Sequence, residues 1–170
     1  MAPSTQDAGS LRGDGKTDVR VNPSPYFLTL LQTRLQPPFL PADITARPRV
    51  NRLVQRDAAR KLLLVSAPAG YGKTTAVLCW VQQQAQPIAW LALDAATDDL
   101  NSFVAYVAAA VQRVVPDACT RSETLVQGGQ APAAVLLAAL VNDLAGLTQR
   151  IVFVLDDYDN VAAGAVHAFM

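Results

Sequence analysis

The chain contains no run of eighteen or more apolar residues, which argues against a membrane-spanning helix. Its first twenty residues lack an apolar stretch, which argues against a secretory signal. Three aspartates there, Asp7, Asp14 and Asp18, argue against a transit peptide. A cytoplasmic location follows. The two cysteines, Cys79 and Cys119, have no metal-ligand spacing, and Cys79 in an apolar helical stretch reads as a buried reduced thiol. The single histidine, His167, has no candidate partner and reads as structural or exposed. No nucleophile–base pair and no zinc cluster can be assembled from the sequence. Neither sign of charge is in excess: 14 Lys and Arg balance 14 Asp and Glu, so no basic field draws the chain to nucleic acid or acidic lipid.

What is present is an apolar, globular composition: 51% of the 170 residues are hydrophobic and 16% are charged, enough for one domain with its own core. Residues 1–24, rich in Ser, Gly, Asp and Pro, read as a disordered leader. Residues 25–60 form an arm and a short helix. In that helix Val50, Leu53 and Val54 share one face, and Arg49, Arg52, Arg56 and Arg60 share another. From Lys61 the pattern changes. Residues 61–66 form a short apolar run that reads as a buried parallel strand, followed by a helix from Gly72 to about Gln84 with Val77, Leu78 and Val81 inward. Residues 87–93 read as a second strand ending at Asp94. Asp99 is placed to cap a helix carrying Phe103, Val107, Ala110, Val111 and Val114.

Residues 116–130 read as a polar loop closed by Gly128 and Gly129. Pro132 then opens a helix bearing Leu136, Leu137, Leu140, Val141 and Leu144, and Gly146 ends it. Residues 151–155 read as a third strand running into Asp156 and Asp157. Trp80 and Trp90 read as core. Continuous apolar strands alternating with helices predict an α/β fold with a parallel sheet. No internal repeat is visible.

The residues that carry chemistry lie at two strand ends. Ala67-Pro68-Ala69-Gly70-Tyr71-Gly72-Lys73-Thr74-Thr75 matches the Walker A pattern, with Ala67 in place of the first glycine. Gly70 and Gly72 let the backbone curl so that successive N–H groups face phosphate oxygens. The helix opening there adds the positive end of its dipole. Lys73 offers a compact cation to the β- and γ-phosphates, Thr74 a hydroxyl to magnesium, and Thr75 a donor to an α-phosphate oxygen. Ala69 and Tyr71 belong to the same cradle. Asp156, at the end of an apolar strand, is the candidate for holding magnesium through water, and Asp157 for orienting or deprotonating an attacking water. Arg47 and Arg49 could reach a nucleotide from the N-terminal side, and Asp94 could serve the site or cap the next turn. A magnesium-bound nucleoside triphosphate, ATP or GTP, is the implied ligand.

Four segments, LLQTRLQPPFLPADITARPRVNRL, KLLLVSAPAGYGKTTAVLCWVQ, IAWLALD and IVFVLDDYDNV, resemble the start of MalT-type regulators of the LuxR family, which are P-loop ATPases of the STAND class. The resemblance covers residues 26–170. It implies phosphate binding at Gly70, Gly72, Lys73, Thr74 and Thr75, magnesium at Asp156 and an acidic partner at Asp157. ATP and ADP are the implied nucleotides. It also implies a three-layer P-loop NTPase sandwich over residues 61–170, incomplete, with about three strands present. The segment after the second strand keeps Asp94, Asp99 and Phe103 of the family pattern and loses other positions. Asp159 stands where the family commonly has histidine.

Such regulators continue with the rest of the ATPase core, a helical repeat sensor and a DNA-binding helix-turn-helix. The resemblance therefore implies a piece of a regulator, with unpaired strand edges and incomplete thermal cooperativity in isolation. DNA would be reached only through a helix-turn-helix outside these residues, slow hydrolysis and ATP-dependent self-association would belong to the whole protein, and no membrane is involved. The alternatives are a small-molecule kinase, which needs a substrate pocket and a mobile lid with arginines where residues 116–130 offer only Arg121, or an inactive remnant.

Overall fold

The computed structural model describes residues 29–41, 47–57 and 60–161. The leader at 1–24, His167 and everything after Val161 lie outside the described residues. The regular elements are α1 (Pro48–Asp57), α2 (Lys73–Val81), β1 (Ile88–Ala92), α3 (Leu100–Gln112), α4 (Thr120–Gly128), α5 (Ala133–Ala145) and β2 (Val152–Asp156). Short 3-10 turns occupy Gln32–Leu35, Ala95–Thr97 and Tyr158–Asn160.

β1 and β2 pair in parallel, with Ile88 opposite Val152 and Ala92 opposite Asp156. The pairing continues one step further through a 3.0 Å bond from the Leu93 amide to the Asp156 carbonyl. Alternation along β1 divides the core. Ala89, Leu91 and Leu93 point into one cluster with α3, the inner face of α5 and the arm residue Leu35. Trp90, between them, points the other way into a cluster with Val54 of α1, with Leu78, Trp80 and Val81 of α2, and with Val154 of β2. The small sheet is therefore covered on both faces, which is why its strands read as continuous apolar runs. Trp80 and Trp90 are both core, as their apolar setting predicts.

α3 begins where Asp99 accepts a 3.0 Å bond from the Ser102 amide, the cap expected at that position. Every residue from Phe103 to Gln112 is buried, because β1, α4, α5 and the arm enclose the helix on all sides. Gly146 ends α5, as expected.

The structure corrects four expectations. Residues 61–66 do not form a strand: 62–68 run without regular structure and join no ladder. Leu62 and Leu64 are 73% and 80% exposed, while Leu63 is half-buried against the cluster that holds Trp90 and Val154. A strand exists only where a neighbour accepts its backbone bonds, and β1 bonds to β2 instead, so the described sheet has two strands rather than three. Residues 116–130 are not a polar loop; they contain α4. Its inner stripe is only Ser122, Val126 and part of Leu125. The Asp143 carboxylate of α5 accepts both the Ser122 amide, at 2.9 Å, and its hydroxyl, at 2.7 Å. Leu53 and Val141, grouped with the apolar positions of their helices, are about half exposed. Pro132 precedes α5 in extended geometry rather than forming its first turn.

Candidate functional site

The loop from Ala67 to Gly72 joins the extended segment to α2, and its shape follows from two glycines. Gly70 and Gly72 both have left-handed backbone, with φ of 78° and 79°. That region carries a Cβ clash for other residues. The Tyr71 amide reaches back to the Pro68 carbonyl at 3.4 Å, closing a tight turn, and the first helical bond runs from the Ala76 amide to the Gly72 carbonyl at 2.9 Å. The amides of Gly72, Lys73, Thr74 and Thr75 therefore have no backbone acceptor among the described residues. They form the open, positive end of a nine-residue helix.

Three side chains converge on this end. Lys73 Nζ donates to the Ala67 carbonyl at 3.0 Å, so the ammonium is folded back across the loop. Thr74 Oγ1 donates to Asp156 Oδ1 at 2.9 Å, joining residues 82 positions apart in sequence. Arg47, just before α1, donates from Nη1 to the Tyr71 carbonyl at 2.9 Å. Arg49 stays exposed on the first turn of α1, while Ala69 and Tyr71 form the exposed lip of the loop.

Asp156 is held by its main chain in the β1–β2 ladder, and its side chain leaves the sheet at the C-terminal edge. Its carboxyl lies above the ordinary carboxylate range. Partial burial is the main cause and the neighbouring Asp157 charge adds to it; the Thr74 hydroxyl, the Asp157 amide and the Lys73 charge pull the other way. The carboxylate thus sits where a cation would relieve it. Asp157 follows in left-handed backbone, φ 56°, and is exposed.

The donor set fits a polyphosphate and a small divalent cation. Free amides and an ammonium suit phosphate oxygens, and one hydroxyl with one carboxylate suits magnesium, which keeps several waters and leans on substrate phosphates. Among the described residues no group of three His, Cys, Asp or Glu could hold a metal by itself.

Asp94 lies elsewhere. It ion-pairs with Arg34 and closes a turn with Thr97, whose hydroxyl donates to the Asp94 carbonyl at 2.6 Å. Arg34 also lies over the Tyr106 ring, 5.3 Å from its centre, and so pins the arm to α3. Sequence reasoning missed this pair and the role of the Ala67 carbonyl. The first joins residues 60 apart, and the second is a backbone group that leaves no mark on residue type. Cys119 is buried and free, and Cys79 is partly exposed and free.

No family model matches the chain. Among curated proteins, it is 30% identical over 142 residues to the HTH-type transcriptional regulator MalT of Yersinia pestis (strain Pestoides F). The same identity and length relate it to MalT of Yersinia pseudotuberculosis (strain YPIII) and of Yersinia enterocolitica serotype O:8. In each case the match covers 83% of this chain and 16% of the relative. The chain thus spans about a sixth of the length of these curated relatives.

Proposed function

This chain is MalT-like across the 142 matched residues, and on that premise we propose that it is the phosphate-binding segment of an ATP-responsive transcriptional regulator. The reading rests above all on one contact, Thr74 to Asp156, which brings a helix N-terminal hydroxyl and a strand-end carboxylate to 2.9 Å beside Lys73. In this reading the amides of Gly70 and of Gly72 to Thr75 wrap the phosphate chain of ATP or ADP, and Lys73 turns from the Ala67 carbonyl to the phosphate oxygens. Thr74 and Asp156 would hold magnesium, which when bound would neutralise charge on the phosphates. Asp157 orients a water for slow hydrolysis in the whole protein.

The nucleotide then acts as a switch. ATP and ADP differ by the γ-phosphate, so they favour different arrangements of whatever packs on this segment. DNA recognition and ATP-dependent self-association belong, in this proposal, to the whole regulator. A kinase reading has less support, since the segment it needs as a lid is α4, tied to α5 through Ser122 and Asp143.

The proposal is tested by displacement of a fluorescent ATP analogue. ATP, ADP and inorganic tripolyphosphate should compete, and adenosine should not, because every group assigned to the ligand in this reading is assigned to its phosphates. Displacement by adenosine as readily as by ATP would overturn it.

A further inference from the structure

The Arg47 bond to the loop suggests a role that differs from direct nucleotide contact. Arg47 Nη1 grips the Tyr71 carbonyl at 2.9 Å, and its guanidinium stands 3.6 Å from where a Cβ on Gly72 would be. The Tyr71 carbonyl and the Gly72 amide belong to one peptide unit. In a trans peptide these two groups point in opposite directions. Fixing the carbonyl toward Arg47 therefore fixes the Gly72 N–H away from Arg47, where it has no backbone acceptor among the described residues.

That peptide is the weak point of the cradle. Gly72 holds φ at 79°, and glycine adopts either sign of φ with little cost, so the unit between Tyr71 and Gly72 could rotate as a whole. Rotation would put a carbonyl oxygen where an anion-facing N–H had been. We propose that Arg47 is a positioning residue: a latch that holds the Tyr71–Gly72 peptide in its anion-accepting orientation and does not itself ligate the phosphates. The inference rests on the phosphate-binding reading given above and adds how the loop is held in that shape.

The test uses the full chain, its Arg47→Ala and Arg47→Lys variants, and two titrants, ATP and inorganic tripolyphosphate. Arg47→Ala should weaken both by the same factor, about fivefold or more, the scale of a partly exposed charge-assisted hydrogen bond. Its affinity should fall with salt as steeply as the parent's, because no charge facing the phosphates has been removed. Arg47→Lys, which keeps a donor of similar reach, should recover most of the loss. The Gly72 amide resonance should broaden in Arg47→Ala as the peptide begins to exchange, and stay sharp in the parent and in Arg47→Lys.

A loss confined to ATP would mean that Arg47 reads the nucleoside, and a flattened salt dependence would mean that it pairs with phosphate directly. Either result overturns the latch, as does an Arg47→Ala variant that binds like the parent. A parent that binds neither titrant overturns the phosphate-binding reading itself, which separates the two failures.

Discussion

Replacing Lys73 with methionine removes one ammonium and keeps nearly the same length of side chain. An ammonium about 4 Å from a phosphate charge, at the effective dielectric of a protein surface, is worth about 4 kcal/mol. Against this stands the bond that the ammonium gives up: Lys73 rests on the Ala67 carbonyl at 3.0 Å. Breaking such a charge-assisted bond costs about 1.5 kcal/mol. The difference, about 2.5 kcal/mol, corresponds to a loss of about 70-fold in ATP affinity. Equilibrium binding to parent and Lys73→Met, at matched salt and with magnesium present, measures it directly. Lys73 opens α2 and gives up only its bond to the half-buried Ala67 carbonyl, so the two proteins should melt within a few degrees of each other, which separates lost binding from lost folding. A variant that binds ATP within about threefold of the parent, under about 0.7 kcal/mol, would refute the assignment of Lys73 to the phosphates.

Three further outcomes follow from the geometry. The Asp156 carboxyl is raised above its ordinary value, so the folded chain holds that proton more tightly than the unfolded one. Its contribution is most favourable in acid and becomes a penalty as pH rises from the unfolded carboxylate value through the raised folded one. Asp156→Asn should therefore raise the melting temperature of the nucleotide-free chain at neutral pH while flattening the magnesium dependence of ATP binding; a lowered melting temperature would contradict the burial argument. Asp143→Ala strands the buried amide and hydroxyl of Ser122 and should cost about 3 kcal/mol, or about 6–12 °C in melting temperature. In the parent, burial and the Asp143 charge push the Cys119 thiol up to about 12, so it should resist alkylation at pH 8 in the folded chain and react on unfolding.

Much of the site was legible because its spacing is local. Gly70, Gly72, Lys73 and Thr74 lie within five residues, and the turn they dictate is the turn observed. Asp156 was legible because an apolar run ending in an acid places the carboxylate at a sheet edge, and its 2.9 Å bond to Thr74 sets the two motifs side by side. What sequence could not give was partnership. Residues 61–66 have a strand's composition, yet a ladder needs a neighbour, and composition does not say whether one is there. α4 was hidden because it needs few apolar residues: Asp143, in the next helix, satisfies Ser122 in place of a broad hydrophobic face. Arg34 and Asp94 meet only after β1 and α3 have packed, so no local pattern could announce them.

The most direct measurement is calorimetric titration of the folded chain with ATP, once with magnesium and once with a chelator. Binding with one nucleotide per chain, tighter with magnesium and weakened about 70-fold by Lys73→Met, is the expected result. A chain that melts cooperatively yet releases or absorbs no heat at saturating ATP would contradict the phosphate-binding claim at its root.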